Sequence, residues 1–148
     1  HYNDEIFDVF ASDRLKRLPH YFNKYARAQG TALDFGCGNG KAFSFLCPRF
    51  RHVIGMDISG GLLRAARKRG YANVELQRKD LSSKRVVLSR VDFLFSCNVI
   101  MLPEIEKNEQ MFRNVANALK PGGAAVLVVP SLESALFAAW RMIELHRQ

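Results

Sequence analysis

Three alternating glycines and one acid lie within residues 32–40, and these residue types are suited to holding a small ligand. The glycines are Gly36, Gly38 and Gly40. They follow a short apolar strand and precede a helical pattern over residues 41–46. Glycine adopts backbone angles that side chains forbid, and it lets a ligand approach the main chain. Since Asp34 adds a carboxylate to this loop, the stretch predicts a turn built around a ligand that carries positive charge.

The spacing of the glycines separates two classes of ligand. A dinucleotide fingerprint reads Gly-x-Gly-x-x-Gly, and its third glycine allows close packing of helix and strand. Here the order is Gly-x-Gly-x-Gly, and Lys41 stands where the third dinucleotide glycine belongs. S-adenosylmethionine has an ammonium, a sulfonium and a ribose but no phosphate, so acids near the loop favour it. A tight turn without a ligand is the alternative, because isolated glycine patterns are weak evidence.

A second acid ends the next apolar segment, residues 52–59. The gap after the glycine loop fits one helix, which predicts a strand parallel to the first through a right-handed crossover. Asp57, at the end of this strand, can accept hydrogen bonds from ribose hydroxyls, and Ile58 can pack on an adenine face. Alternatively, Asp57 caps the following helix, a role that Ser59 could also fill.

The third, fourth and fifth predicted strands add further polar positions at the same edge. Residues 73–81 predict a third strand with Asp80 just past its end. Asp80 can accept a hydrogen bond from the exocyclic amine of adenine, and the Leu81 amide can face a ring nitrogen. Alternatively, Asp80 is a turn residue without a ligand. Residues 91–97 are nearly all apolar, as in a parallel strand covered on both faces. Cys97 ends that strand, where open parallel sheets place ligands. Residues 119–123 stop a helix, and residues 124–129 predict a fifth buried strand.

In this order, these segments resemble the motifs of class I S-adenosylmethionine-dependent methyltransferases over about residues 28–130. The resemblance implies an α/β fold, a Rossmann-like doubly wound and mostly parallel sheet of strand order 3-2-1-4-5. It implies methyl transfer from S-adenosylmethionine by in-line displacement, with S-adenosylhomocysteine as product and a small molecule as the favoured acceptor. The cofactor-binding residues that it implies are Asp34, Gly36, Cys37, Gly38, Asp57, Ile58, Asp80, Leu81 and Cys97.

The chain departs from the family pattern in two places. Many relatives carry a Glu-His pair after strand four, whereas residues 99–103 are apolar here, so no catalytic residue is identified. The family sheet usually has two further strands, and these are missing before Gln148. We therefore expect either a fragment or a short form completed by a protein partner or a homodimer. A non-catalytic S-adenosylmethionine-binding subunit is one alternative function.

Net charge is +8 and the isoelectric point is about 9.8, which raises encounter rates with anionic partners. The basic runs lie at residues 14–17, 64–69, 78–79 and 84–85. An RNA-directed methyltransferase is therefore a second alternative. A solvated basic face is favoured over it, because the runs are dispersed and no RNA-binding motif with aromatic platforms accompanies them.

The length of the chain predicts one hydrophobic core. Residues 1–27 form a helical prelude or lid in this interpretation, and residues 28–148 form the S-adenosylmethionine-binding domain. The lid candidates are Tyr2, His20, Tyr21 and Tyr25, and packing of these aromatic rings against the sheet is the alternative. His20 is also a candidate for a general base.

Three cysteines, an odd number, lie outside metal-ligand spacing, so no metal site is predicted and reduced thiols are expected. No segment approaches the roughly 20 apolar residues of a membrane span, and residues 1–5 do not resemble a signal peptide. These observations together predict a cytoplasmic protein.

Two helices are predicted around the fifth strand. The helix before it places apolar residues on one face, which we expect to be buried against the sheet. These residues are Ile105, Phe112, Val115 and Leu119. The helix after it is capped by Ser131 and has an apolar stripe of its own. This second stripe comprises Leu132, Leu136, Trp140 and Ile143.

Overall fold

A computed structural model of the chain describes residues 8–133 and residue 136. Within them, five strands form one sheet in which every neighbouring pair is parallel, in the order β3-β2-β1-β4-β5. The strands are β1 (Arg27–Phe35), β2 (Phe50–Asp57), β3 (Val74–Arg78), β4 (Val91–Cys97) and β5 (Leu119–Val128). The helices are α1 (Val9–Ser12), α2 (Arg17–Lys24), α3 (Phe43–Leu46), α4 (Gly60–Arg67) and α5 (Ile105–Ala118). The predicted fold class and strand order are confirmed.

The central strands are buried on both faces because successive side chains alternate between two apolar cores. Ala32 and Phe93 point into one core, together with residues of α2, α3 and α4. Their neighbours Leu33 and Leu94 point into the other core, together with residues of α5. This alternation places helices on both faces of the sheet and leaves the carboxyl ends of the strands open for a site.

Aromatic rings fasten the N-terminal helices to the first face. Phe22 of α2 is almost fully buried and meets Phe95 edge to face, with ring centroids 5.0 Å apart. Phe10 of α1 stacks on Phe45 with centroids 5.4 Å apart. Such pairs add roughly 0.5–1.5 kcal/mol each beyond the area that they bury. The N-terminal residues that the structure describes are therefore packed onto the sheet beside the glycine loop.

Two predicted boundaries are corrected. The helix expected over residues 41–46 is the single turn α3, because Gly40 continues a turn in which its amide bonds to the Cys37 carbonyl and its carbonyl accepts from the Phe43 amide. Strand β5 begins at Leu119 and not at residue 124. Its pairing with β4 shifts register between Val91 and Phe93, which accommodates the Pro-Gly-Gly segment within the strand.

The buried face predicted for α5 is wrong at two of its four residues, while Leu119 packs against a buried cluster as expected. Ile105 and Phe112 are 69% and 48% exposed, although Val115 is buried as expected. The buried face instead comprises Met111, Asn114, Val115 and Ala118. Helical spacing allows either stripe. The observed one buries the apolar residues Met111, Val115 and Ala118, and Asn114 is tolerated among them because its amide finds hydrogen-bond partners.

Some predictions concern residues near the chain ends. Tyr2, Trp140 and Ile143 lie outside the described residues. Leu132 and Leu136, which were expected on the apolar stripe of a last helix, are 73% and 62% exposed. Among the described helices, none has the length and apolar character needed to cross a bilayer.

Candidate active site

The carboxyl ends of β1, β2 and β4 open into one cavity with a volume of about 810 Å³. This volume falls in the range of roughly 300–1,000 Å³ that is usual for small-ligand sites. All of the cofactor-binding residues predicted from sequence line it. They are Asp34, Gly36, Cys37, Gly38, Asp57, Ile58, Asp80, Leu81 and Cys97. The structure therefore brings these residues together, while their roles in binding stay predictions.

The glycine loop is folded tightly against β2 and against the segment after β4. The backbone amides of Gly36 and Cys37 both donate to the Met56 carbonyl, at 2.9 and 2.8 Å. Gly36 has φ +84°, and a Cβ atom added there would lie 2.2 Å from Val99 Cγ2. Glycine is required at this position by both its backbone conformation and the close approach of Val99.

Asp57 holds the glycine loop and the start of α4 at once. Its Oδ2 accepts from the Gly38 amide at 2.9 Å, and its Oδ1 accepts from the Ser59 amide at 2.8 Å. The cap of α4 is Ser59, whose Oγ accepts from the Leu62 amide. Ser59 therefore fills the capping role, and the ribose contact of Asp57 stays a prediction. Because each carboxylate oxygen has a second lone pair, Asp57 can also accept from a ligand in the cavity.

Asp34 differs from Asp57 in having a buried oxygen without a partner. The residue is 2% exposed, and its Oδ2 has no hydrogen-bond partner among the described residues. Burial, with a smaller contribution from the negative charge of Asp57, raises the pKa of Asp34 to about 8. An unsatisfied buried acceptor is costly, so it requires an explanation. A cationic group in the cavity would supply the missing partner.

Two of the cysteines near this acid are poor nucleophiles. Burial raises the pKa of the Cys37 thiol well above its usual range, and the carboxylates of Asp34 and Asp57 act in the same direction. Burial likewise raises the pKa of Cys47 to about 11. Both side chains therefore remain neutral thiols at neutral pH.

The loop after β3 forms the far wall of the cavity. Asp80 Oδ1 accepts from both the amide and the hydroxyl of Ser82, at 3.0 and 2.7 Å, so Asp80 is a turn residue as well as a cavity-lining one. Leu81 is buried, and its carbonyl accepts from Asn114 Nδ2 at 2.8 Å. Ile58 also lines the cavity and is 60% exposed.

The N-terminal segment, which sequence analysis assigned as a prelude or lid, lines the cavity at residues that the sequence did not single out for this role. Asp8, Val9 and Phe10 line the cavity. Asp8 caps α1 through Oδ1, and its Oδ2 pairs with Lys41 Nζ at 3.1 Å; these bonds hold its pKa below the usual range. An aspartate directly before a helix is a capping signal, but it does not reveal that the segment reaches the glycine loop.

The aromatic lid candidates that the structure describes lie elsewhere. His20, Tyr21 and Tyr25 are not among the residues that line the cavity. Tyr25 stacks on Phe93 with centroids 6.1 Å apart, and His20 packs edge-on against Tyr21. For Tyr25, packing against the sheet is the observed role. The assignment of residues 1–27 as a lid stays a prediction.

The wall formed by β4 and α5 is mainly apolar. Asn98, directly after β4, has φ +56°, and its amide donates to the Val128 carbonyl at 2.9 Å. Non-glycine residues in this conformation are uncommon, and asparagine tolerates it best. The other lining residues on this side are Val99, Met101, Leu102, Lys107, Met111 and Pro130. This side offers contact area for an apolar molecule next to the acidic side formed by β1 and β2.

Comparison with known proteins gives a family match. Residues 32–123 match the model of a family described as "Methyltransferase domain". Phosphoethanolamine N-methyltransferase 1 of Triticum aestivum is 28% identical over 81% of this chain and 26% of its own length. The biotin biosynthesis bifunctional protein BioHC of Cellvibrio japonicus is 32% identical over 76% of this chain and 22% of its own. The chain thus spans about a quarter of each of these relatives.

Solved structures share the fold. The DhpI-SAM-HEP complex superposes with a TM-score of 0.76, covering 93% of this chain and 64% of that chain at 21% identity. The PH0226 protein of Pyrococcus horikoshii is 28% identical, with a TM-score of 0.66, covering 84% of this chain and 59% of that chain. The matched region of the family model contains the glycine loop, Asp57, Asp80 and the strand that ends at Cys97.

Proposed function

The chain belongs to the methyltransferase domain family, of the class I S-adenosylmethionine-dependent type, and we propose that its cavity binds S-adenosylmethionine for transfer of the sulfonium methyl group. The observation that carries the proposal is the Oδ2 atom of Asp34, buried in the cavity wall without a partner. An ammonium group at this place would satisfy that oxygen with a charge-assisted hydrogen bond. It would also offset the cost of ionising a carboxyl group in a buried position.

The remaining contacts divide the ligand among three strand ends. In this proposal the backbone of Gly36 and Gly38 lies against the methionine part, where the absence of side chains leaves room. Asp57 accepts from the ribose hydroxyls with the lone pairs that the Gly38 and Ser59 amides do not use. Asp80 accepts from the exocyclic amine of adenine at the far wall.

The chemistry asked of the protein is alignment and exclusion of water. The cofactor supplies a methyl group already activated by its positive sulfur. The cavity walls would hold an acceptor lone pair behind that carbon, and orientation of this kind contributes up to roughly 7–11 kcal/mol in ideal cases. Attack neutralises the sulfonium, so the apolar wall of Val99, Met101 and Met111 suits the charge change.

We propose a small molecule as the acceptor. The cavity of about 810 Å³ has an apolar wall beyond the predicted cofactor residues, which supports an acceptor that is enclosed and not an extended polymer. The name of the Triticum relative describes methylation of a small amine, which is consistent with this class.

Calorimetry with S-adenosylhomocysteine tests the binding site. We expect saturable one-to-one binding to the unmodified chain and a large loss of affinity in Asp34→Ala. Asp92→Ala is a matched control, since Asp92 is a carboxylate at the opposite end of the sheet that bonds to Thr31 and Lys120. Equal affinity in the Asp34→Ala and unmodified chains would contradict the site assignment.

A second experiment tests transfer. The chain is incubated with methyl-labelled S-adenosylmethionine and either a small-molecule extract or total RNA. Label in the small-molecule fraction supports the proposal. Label in RNA would replace it with the nucleic-acid alternative, and intact binding without transfer to either would favour a non-catalytic subunit.

A further inference from the structure

Asn114 is a buried polar residue in the middle of α5, a position where such residues are uncommon. It is 5% exposed. Its Nδ2 donates to the carbonyls of Leu81 and Ser83, at 2.8 and 3.0 Å. Its Oδ1 accepts from Gln110 Nε2 at 2.9 Å. The side-chain amide of Asn114 therefore donates two hydrogen bonds to one loop, and Gln110 on the same helix fixes its orientation.

The loop that receives these bonds has little structure of its own. Residues 79–90 contain neither helix nor strand, although four of them line the cavity. Those four are Lys79, Asp80, Leu81 and Ser82. Within this loop the backbone bond from the Ser83 amide to the Asp80 carbonyl is long, at 3.3 Å. Segments with few backbone hydrogen bonds open at low free energy, so an external support determines where such a loop rests.

Asn114 supports this loop from a helix that also reaches the cavity. Met111 and Lys107, earlier on α5, line the cavity as well, and Met111 lies in the same buried cluster as Leu81. Asn114 thus connects the wall after β3 with the wall formed by α5. Because its hydrogen-bond donors meet the carbonyl of Leu81 directly, a change at this position would move the backbone that flanks the predicted adenine site.

We propose that Asn114 is a positioning residue that fixes the Asp80–Leu81 segment for recognition of the adenine ring. The inference rests on the proposed function, since it concerns how the same cavity reads its ligand. Asn114 does not touch the ligand and acts through the Leu81 and Ser83 carbonyls. An aspartate there would direct two acceptor oxygens at those carbonyls, and an alanine would leave them unbonded.

The test compares two ligands that differ only in the purine. S-adenosylhomocysteine and S-inosylhomocysteine, in which the exocyclic amine is replaced by a carbonyl, are titrated into the unmodified chain and Asn114→Ala. We expect the unmodified chain to prefer the adenine ligand about tenfold and Asn114→Ala to reduce this preference to about twofold. A partly unfolded sample lowers both affinities equally, so the ratio reports loop position and not stability.

Val115→Ala is the matched control, since it removes buried methyl groups from the next residue of the same helix and keeps the hydrogen bonds of Asn114 to the Leu81 and Ser83 carbonyls. It should lower stability and leave the preference unchanged. A preference that survives in Asn114→Ala, or one that is lost equally in Val115→Ala, would overturn the proposal. If Asn114→Ala does not fold, Asn114→Ser retains one hydroxyl donor and should show an intermediate preference; an unaltered preference in Asn114→Ser also overturns the proposal.

Hydrogen exchange in the absence of ligand separates this inference from the proposed function. The amides of residues 79–85 should exchange at least about tenfold faster in Asn114→Ala than in Val115→Ala, after correction for global stability. Equal exchange in the two variants contradicts the support of the loop by Asn114. Failure of the unmodified chain to bind either ligand would instead contradict the proposed function.

Discussion

The two sides of the cavity are built in different ways. The side formed by β1 and β2 consists mainly of backbone and carboxylates; Asp57 is fixed by short hydrogen bonds to the Gly38 and Ser59 amides, whereas Asp34 Oδ2 has no partner among the described residues. The side formed by α5 and the segment after β4 is mainly apolar, with Met101 and Leu102 52% and 37% exposed and Met111 buried. This difference fits our proposal that the polar side binds the cofactor and that the apolar side binds the acceptor.

The largest expected effect of a substitution on ligand binding is at Asp57. Asp57→Ala removes the acceptor for the Gly38 and Ser59 amides and, in our proposal, the acceptor for the ribose. Each hydrogen bond to a charged group is worth about 1.5–3 kcal/mol, so affinity for S-adenosylhomocysteine should fall at least about 100-fold. Calorimetry measures this. Asp80→Ala, whose carboxylate is exposed and bonded to Ser82, should lose much less, and equal losses would remove the contrast between the strand ends.

The junction between the two sides should respond strongly to added volume. Gly36→Ala would place a Cβ atom against Val99 in a positive-φ conformation, and overpacking of this kind costs about 1–3 kcal/mol of unfolding free energy. Gly70→Ala is the control, because Gly70 also has positive φ but has open space around it. Denaturant unfolding should show a clearly larger loss for Gly36→Ala. Equal losses would mean that the contact with Val99 does not constrain the loop.

The pH dependence of binding should distinguish Asp34 from its neighbours. With its pKa raised to about 8, Asp34 is protonated at lower pH, and the ligand-free chain loses stability as pH rises from the ordinary carboxyl range towards 8. A ligand ammonium binds the ionised form of Asp34. As pH is raised towards 8, the affinity for the ligand should therefore increase by up to about tenfold per pH unit, and above pH 8 it should level off. Calorimetry at several pH values measures this. Asp34→Asn should flatten the profile, and a flat profile in the unmodified chain would contradict the assignment.

The smallest expected effect tests the corrected face of α5. Phe112→Ser alters a side chain that is 48% exposed, so the free energy of unfolding should change by less than about 0.5 kcal/mol. Val115→Ala, on the buried face, should cost about 1–3 kcal/mol. Chemical denaturation of both variants checks the pair. A larger loss in Phe112→Ser would restore the face expected from sequence.

The sequence predicted the features that lie within local motifs, and it did not predict contacts between segments that are distant in the chain. The glycine loop and Asp57 lie within local motifs whose spacing places them at the ends of strands. These positions were therefore predicted correctly, as was the order of the strands. Asn114 was missed because its burial depends on two carbonyls of a loop about 30 residues away. Asp8 was missed because its ion pair with Lys41 joins two segments that are distant in sequence, and the hydrophobic pattern of neither segment indicates that they are in contact.

The central claim of our proposal is that Asp34 binds the ammonium group of a methionine-derived nucleoside. A crystal structure of the chain with S-adenosylhomocysteine tests it most directly. We expect the ligand ammonium within about 2.7–3.2 Å of Asp34 Oδ2 and the ribose hydroxyls against Asp57. A bound ligand that leaves Asp34 Oδ2 without a partner, or a cavity that remains empty at saturating ligand, would contradict the account.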